Sequence, residues 1–319
     1  MDVCVLGRIG YDLYAEEHGR PLAEVEHFSR HLGGSSANMA VGLARLGLSV
    51  GMMSAVGWDA LANYLLSTLT AEGVDVRHVR RVKGYNTSLC LTEVSPPDRF
   101  PQVFYRSNPA DAQVVIGAAE LEYLRQARMF VTNGTSLSAP PARQATRLAL
   151  ETAQEAGLRT VFDIDYRASS WASPAEAGEA ARAVLPWVRV VLGNEDELFL
   201  LTGERQTKMQ ARAVLAAGVD LVVCKLGKDG VEAHAGDRSC FAPPIPTRVA
   251  STIGAGDGFA AGFLYALDLG LPLEECLRYG NAAAAVVVSR VSCSDAMPRL
   301  EELTEMLGSA ARLNSTLGG

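Results

Sequence analysis

From about residue 118 onward the chain alternates helical and extended patterns, and its extended runs are apolar on both faces, as in Leu221-Val222-Val223-Cys224. A strand with no polar side has to be covered on both sides. The pattern therefore predicts an α/β fold in which a mainly parallel sheet lies between two layers of helices. Helical spacing falls at about 118–126, 141–156, 175–184, 195–202, 208–217, 256–269, 273–290 and 299–307, and extended runs fall at 128–132, 159–164, 188–192, 220–225 and 230–234. The chain opens in the same way, with a strand at Val3–Leu6, a helix at 35–47 begun by Ser35 or Ser36, a strand at Val50–Val56 and a helix at 59–72. After these, 76–82, 87–94 and 102–106 are short, rich in Val, Thr and Tyr, and divided by turn signals, among them the loop Ser95–Pro101 with its three prolines. Such runs form small antiparallel sheets. The segments at about 11–31 and 76–108 are expected to make a lid inserted in a single domain spanning 1–319.

Charge and composition narrow the function classes. Asp and Glu outnumber Lys and Arg by 36 to 29, for a net charge of −7, and no basic cluster appears, so no nucleic-acid partner is expected. No apolar run reaches membrane-spanning length, and MDVCVLGRIG lacks the basic-then-apolar layout of a signal peptide, so no membrane partner is expected either. Cys4, Cys90, Cys224, Cys240, Cys276 and Cys293 show no CxxC spacing and sit mostly in apolar segments, which suits reduced thiols in a cytoplasmic protein.

The run Ser251-Thr252-Ile253-Gly254-Ala255-Gly256-Asp257-Gly258-Phe259 places a small-residue turn directly before a helix. A helix start offers unpaired N–H groups and the positive end of a dipole. Gly254, Ala255 and Gly256 thus form a cradle suited to an anion such as phosphate. Asp257 beside it could accept a proton from a hydroxyl, and cradle plus base point to phosphoryl transfer onto an alcohol. In isolation the same run also reads as a tight turn with a dipole-compensating Asp. Commoner nucleotide motifs are missing: no GxxxxGK[ST] occurs, and Gly7-Arg8-Ile9-Gly10 lacks the GxGxxG turn.

Other stretches carry a functional and a plain reading side by side. His31-Leu32-Gly33-Gly34-Ser35-Ser36-Ala37-Asn38 opens a helix with glycines that permit close approach, and Asn38 can both donate to and accept from a sugar hydroxyl. A glycine turn with a serine cap is its plain alternative. Asn194-Glu195-Asp196-Glu197 starts a helix after an apolar strand; its acids either balance the dipole or hold Mg²⁺ through water. Lys225-Leu226-Gly227-Lys228-Asp229-Gly230 makes a turn against which adenine or phosphate could lie, or an ordinary β-turn. Arg106 and Arg167 each end a strand-like run, as suits bidentate capture of a carboxylate or a surface ion pair.

Together these residues resemble the ribokinase/PfkB family of carbohydrate kinases, over nearly the whole chain from Val3 to about residue 300. Gly33-Gly34…Asn38 matches the family's N-terminal motif, Ile253–Phe259 its C-terminal motif, Asn194…Glu197 its NxxE, and Gly227…Gly230 its nucleotide turn. The resemblance implies a ribokinase-like three-layer α/β/α core with a small β-sheet lid over the substrate, and a kinase using ATP and Mg²⁺. It implies Asp257 as catalytic base and the N–H groups of Gly254, Ala255 and Gly256 as the anion hole. Asn194, Lys225, Gly227, Gly230 and Asn281 would hold ATP, Glu197 would help place Mg²⁺, and Asp12, Gly33, Gly34 and Asn38 would meet the sugar. Ser251 stands where many members carry an Asp belonging to a monovalent-cation site, which leaves any K⁺ to backbone carbonyls. Lids in this family often pair between subunits, implying a homodimer through the lid.

Within the family, Gly7–Tyr14, Pro97–Pro101 with Val103–Arg106, and Phe162–Arg167 are similar to the 5-dehydro-2-deoxygluconokinase branch of myo-inositol catabolism. A sugar acid needs a cationic clamp that neutral sugars do not, and Arg8, Arg106 and Arg167, with Tyr105 beside them, could supply it. The 2-dehydro-3-deoxygluconokinase branch, which also sets Tyr and Arg against a carboxylate, is the close rival. A non-catalytic sugar- or nucleoside-binding regulator on the same fold is the alternative of another class, against which the complete GAGD run with its Asp257 argues. The expected partners are a small-molecule sugar acid and ATP.

Overall fold

Side chains of the first strand go alternately to two helix layers. In β1 (Val3–Leu6), Val3 and Val5 join the core under one layer while Cys4 and Leu6 join the core under the other. The structure, a computed structural model, describes residues 1–96 and 99–317, with side chains to residue 310. Pro97 and Asp98 of the proline loop, and the Gly-rich tail beyond 317, lie outside the described residues. The further strands are β2 (Gly10–Ala15), β3 (Phe28–Gly33), β4 (Val50–Gly57), β5 (Asp75–Val82), β6 (Ser88–Thr92), β7 (Gln102–Tyr105), β8 (Met129–Asn133), β9 (Arg159–Asp163), β10 (Val190–Asn194), β11 (Leu221–Lys225), β12 (Val231–Ala235) and β13 (Arg238–Ala242). The helices are α1 (Ser35–Arg45), α2 (Ala60–Ala71), α3 (Ala118–Arg125), α4 (Ala142–Glu155), α5 (Pro174–Val184), α6 (Glu195–Thr202), α7 (Thr207–Ala216), α8 (Ala255–Asp268), α9 (Leu273–Val288) and α10 (Leu300–Leu317).

Among the described residues, nine strands form one sheet in the order β13-β12-β11-β10-β9-β8-β1-β4-β5. It is parallel from β11 to β5 and turns antiparallel at β12 and β13. Helices α1, α2, α8 and α9 cover one face and α3 to α7 the other, as continuously apolar strands require. No described helix is long and apolar enough to cross a membrane.

A second sheet, β3-β2-β6-β7, forms the small separate layer. Its outer pairs are antiparallel, while β2 and β6 run parallel because the chain crosses the core between them. The segment at 76–82, expected in this lid, lies elsewhere. It falls within β5, which pairs parallel with β4 at the edge of the large sheet. The physical reason is the intervening helix α2: β4–α2–β5 is a crossover unit, and Val76 and Val79 pack into the main core. The lid therefore comprises β2, β3, β6 and β7. Strand periodicity gives it two unlike faces. Tyr11, Leu13, Leu89, Leu91, Val103 and Tyr105 share the outer one, and Asp12, Tyr14, Cys90 and Phe104 the inner one.

Candidate active site

Parallel strands that lie side by side end at one edge, and ligands in such sheets bind beyond their carboxyl ends. Here that edge carries Asn133 of β8, Asp163 of β9, Asn194 of β10 and Lys225 of β11. Helix α8 begins at the same place. Its N-cap, Gly254, adopts φ +80°, and a Cβ there would come within 3.2 Å of the Cys293 sulfur. The N–H of Ala255 donates back to the Thr252 carbonyl at 3.3 Å, so one of the three groups expected in the anion cradle closes the turn instead. Gly256 and Asp257, as first-turn residues, keep N–H groups with no carbonyl behind them in the helix.

Asp257 is buried, and its carboxylate is held from α1. Oδ1 accepts from the Ser35 hydroxyl at 2.8 Å and Oδ2 from the Asn38 amide at 2.8 Å. Burial, then the nearby Asp165 carboxylate, push the Asp257 pKa up; the bonds from Asn38 and Ser35 and the charge of Arg167 oppose that rise. The result is a carboxylate fixed in orientation yet more basic than an ordinary aspartate. Ser35, read from sequence as a helix cap, is the first residue of α1 behind Gly34 and makes no cap bond. Its hydroxyl serves Asp257, and no local pattern marks that use.

Two clefts meet at this helix start. One, of about 470 Å³, is lined by Gly227, Gly230, Ile245, Phe259 and Asn281 among others. The other, of about 450 Å³, is lined by Asp165, Arg167, Asn194, Glu197, Gly254 and Asp257 among others. Lys225 and Gly256 border both. The Lys225 ammonium lies 3.0 and 3.1 Å from the two oxygens of Asp163, which is almost wholly buried. Burial works against the Lys225 charge, but Asp163 and Glu197 outweigh it and raise its pKa, so the ammonium stays protonated. Asn281 donates to the carbonyls of Ala242 and Pro243 at 3.2 and 2.7 Å, bracing one wall of the first cleft. Gly230 there has φ +107°, and a Cβ would lie 2.5 Å from the Ala242 carbonyl.

Asn194 and Glu197 form a reciprocal cap at the start of α6, each side chain accepting from the other's N–H at 2.8 Å. The second Glu197 oxygen accepts from the Tyr166 N–H at 3.0 Å. Glu197 thus caps the helix and also lines the second cleft. Ser251 is fully buried, and its hydroxyl accepts from the Ile253 N–H at 3.2 Å.

The lid side is more dispersed. Asp12 is pressed so closely against β3 that a Cβ on Gly33 would lie 2.0 Å from its Oδ2, while Gly34 at φ +95° leaves room for the Arg8 carbonyl. Burial pushes the Asp12 pKa up to about 6 against the pull of Arg8. Arg8 is itself buried, its guanidinium 5.7 Å from the centre of the Phe104 ring. Arg106 pairs with Asp111 at 2.7 Å, and Arg167 with Asp165 at 3.1 Å. Asp165, at φ +34°, also accepts from Asn133 at 3.0 Å and Thr135 at 3.1 Å. Asp163, Asp165 and Asp111 escaped the sequence reading; acids closing the apolar run Val161-Phe162 were the available signal for the first two.

Tyr105 does not join these groups. It is 60% exposed on the outer lid face, because β7 alternates and turns Phe104, its neighbour, inward. Among the described residues, Asp12 Oδ1, Asn38 Oδ1 and Arg106 Nη1 are buried without a hydrogen-bond partner. Each such orphan costs about 1–3 kcal/mol unless something fills it. Acceptors and a cationic donor left open in one region suit a small polar anion bearing hydroxyls.

Comparisons with known proteins extend over the whole of this architecture. Residues 1–300 match the pfkB family carbohydrate kinase model. A 5-dehydro-2-deoxygluconokinase of Geobacillus kaustophilus is 36% identical over 323 residues, covering 98% of this chain and 96% of the relative. The crystal structure of a PfkB protein from Polaromonas sp. JS666 is 30% identical with a TM-score of 0.85, covering 95% of this chain and 99% of that one. A putative ribokinase II from E. coli shares the fold at 24% identity and a TM-score of 0.88, covering 97% and 99%. With its helix-start cradle, its acid at Asp257 and its β-sheet lid, this chain belongs to the pfkB family of carbohydrate kinases.

Proposed function

We propose that the protein is a cytoplasmic, homodimeric kinase that transfers the γ-phosphoryl group of ATP to the terminal hydroxyl of a sugar acid, 5-dehydro-2-deoxy-D-gluconate, giving the 6-phosphate. Two features support the substrate: the curated relative at 36% identity bears that activity's name, and the lid side gathers Arg8, Arg106 and Arg167. The observation that carries the acid preference is Arg106 Nη1, a buried guanidinium donor with no partner among the described residues. A substrate carboxylate supplies its missing acceptor in a geometry that guanidinium favours.

ATP suits the first cleft, its adenine against the Gly227–Gly230 turn and the wall braced by Asn281, and its phosphates toward Lys225 and the start of α8. The sugar acid suits the second, with hydroxyls at Asp12 and Asn38 and its terminal hydroxyl at Asp257. Asp257 takes that hydroxyl's proton as its oxygen attacks the γ-phosphorus in line. The new O–P bond forms as the bond to the β-phosphate breaks, and ADP leaves. Lys225 and the N–H groups of Gly256 and Asp257 meet the charge on the group in transit, so positioning and fixed dipoles do most of the work. Glu197 lines the second cleft and would hold Mg²⁺ through the ion's own waters. Mg²⁺ there would neutralise phosphate charge. With Ser251 in place of a carboxylate, any K⁺ at this loop would rest on backbone carbonyls.

A substrate panel tests the reading. ATP consumption is measured with 5-dehydro-2-deoxygluconate, 2-dehydro-3-deoxygluconate, ribose and fructose. The first is expected to give the highest kcat/KM. A higher value for the second transfers the assignment to the rival acid, and a higher value for either neutral sugar removes the carboxylate clamp altogether.

A further inference from the structure

Arg106 follows β7 and its side chain is only 9% exposed, yet it meets the protein along one edge alone. Nη2 donates to Asp111 Oδ2 at 2.7 Å, while Nη1 is buried and unpartnered among the described residues. Asp111, 6% exposed, lies in the short 3₁₀ turn Ala110–Gln113, and its other oxygen accepts from the Ser88 hydroxyl at 2.5 Å. Ser88 opens β6. One buried carboxylate thus joins the start of one lid strand to the end of another.

A guanidinium is a rigid planar fork, so fixing one edge fixes the direction of every other N–H. Burial works against the Arg106 charge; Asp111 supports it, Arg8 opposes it, and Asp165 supports it from farther away. Arg8 and Asp165 belong to the region where the acid's carboxylate is proposed to lie. We propose that Asp111, steadied by Ser88, is a positioning residue that aims Arg106 at the substrate's carboxylate and so sets the preference for sugar acids over neutral sugars. This rests on the sugar-acid reading above. Asp111 touches no reacting atom; it acts through Arg106.

Asp111→Asn keeps the shape and a weaker acceptor but gives up the charge that orients the fork. The measurements are KM and kcat for 5-dehydro-2-deoxygluconate and for fructose, KM for ATP, and the melting temperature. The expected result is a rise of about 10-fold in KM for the acid, the scale of a charge-assisted hydrogen bond, with kcat, KM for ATP and KM for fructose nearly unchanged. Asp111→Glu should recover part of the loss. Ser88→Ala should shift KM in the same direction by less, which keeps the idea testable if the asparagine variant does not fold. Adding Asp111→Asn to Arg106→Met should cost little more than Arg106→Met alone, because both act on one contact. An unchanged or lower KM for the acid would mean that Asp111 merely competes for the guanidinium, and would overturn the proposal. So would a parallel rise in all KM values with a fall in melting temperature, which is the mark of a structural role. If the unmodified protein prefers fructose, the sugar-acid reading itself fails. A preserved preference for the acid with an indifferent Asp111 sinks only the positioning role.

Discussion

The two ends of the active cleft are built in opposite ways. At the α8 end the chemistry is contiguous: Gly254, Gly256 and Asp257 occupy one turn, and the helix start supplies the donors. At the lid end Arg8, Asp12, Arg106 and Arg167 come from separate segments, and Asp111 and Asp165 hold the last two. A short run can encode a reaction because helix geometry does the assembly. Substrate preference depends on tertiary contacts, and these can change without disturbing the reaction. The two ends should therefore fail differently when altered.

The largest effect belongs to the α8 end. Asp257→Asn keeps the shape and one of the two accepting oxygens but cannot take a proton, and kcat should fall by about 100- to 10,000-fold, the usual range for a lost general base. ATP affinity, measured by calorimetry, should stay near its original value. Retention of most of kcat would break the assignment of base chemistry to this end. At the lid end, Arg106→Met should instead raise KM for the sugar acid by about 10- to 100-fold, as expected for lost bonds to a charged donor, and leave kcat within a few-fold. A kcat collapse in that variant would erase the distinction between the ends.

A subtler case joins them. Ser35, from the helix that follows the lid strand β3, donates to Asp257. Burial raises the Asp257 pKa, so the proton stays on at higher pH than for an ordinary aspartate, and activity must be lost as pH falls through that raised value. The Ser35 bond favours the charged form. Ser35→Ala should therefore move the acidic limb of the kcat/KM profile upward by about half to one pH unit, for a bond worth roughly 0.7–1.4 kcal/mol. A limb that stays put, or sits near pH 4 in the unmodified protein, would remove Ser35 and burial from the control of the base.

Legibility followed the same division. The layered α/β core could be read from residue pattern, because strands with no polar face admit few other solutions. The cradle and Asp257 could be read because they lie in one run. Tyr105 was misassigned because a strand's period, not its residue type, decides which face a side chain takes, and β7 turns Tyr105 outward. The segment 76–82 lies outside the lid although its Val- and Arg-rich composition suits a lid strand and an edge strand equally well; only the crossover through α2 distinguishes them. Ser35, Asp111 and Asp165 act through partners 222, 5 and 30 to 32 residues away. Asp111, though close in sequence to Arg106, gains its meaning from Ser88, 23 residues earlier in another strand.

The smallest catalytic effect is expected on the lid's outer face. Tyr11, Leu13, Leu89, Leu91, Val103 and Tyr105 make a continuous apolar surface there, with Val103 44% exposed. An apolar face of this kind, built from β2, β6 and β7, is suited to a matching face on a second copy, since a twofold interface presents the same patch from both sides. Val103→Asp places a charge in that surface and should shift the protein from dimer toward monomer at low micromolar concentration, measured by light scattering. Because successive side chains of a strand point to opposite faces, the inner face bearing Asp12 and Phe104 is left alone, and kcat should change by less than about twofold. A monomeric, folded Val103→Asp protein that has lost turnover would show that lid pairing completes the acid-binding end. A variant that remains dimeric would place the subunit contact elsewhere.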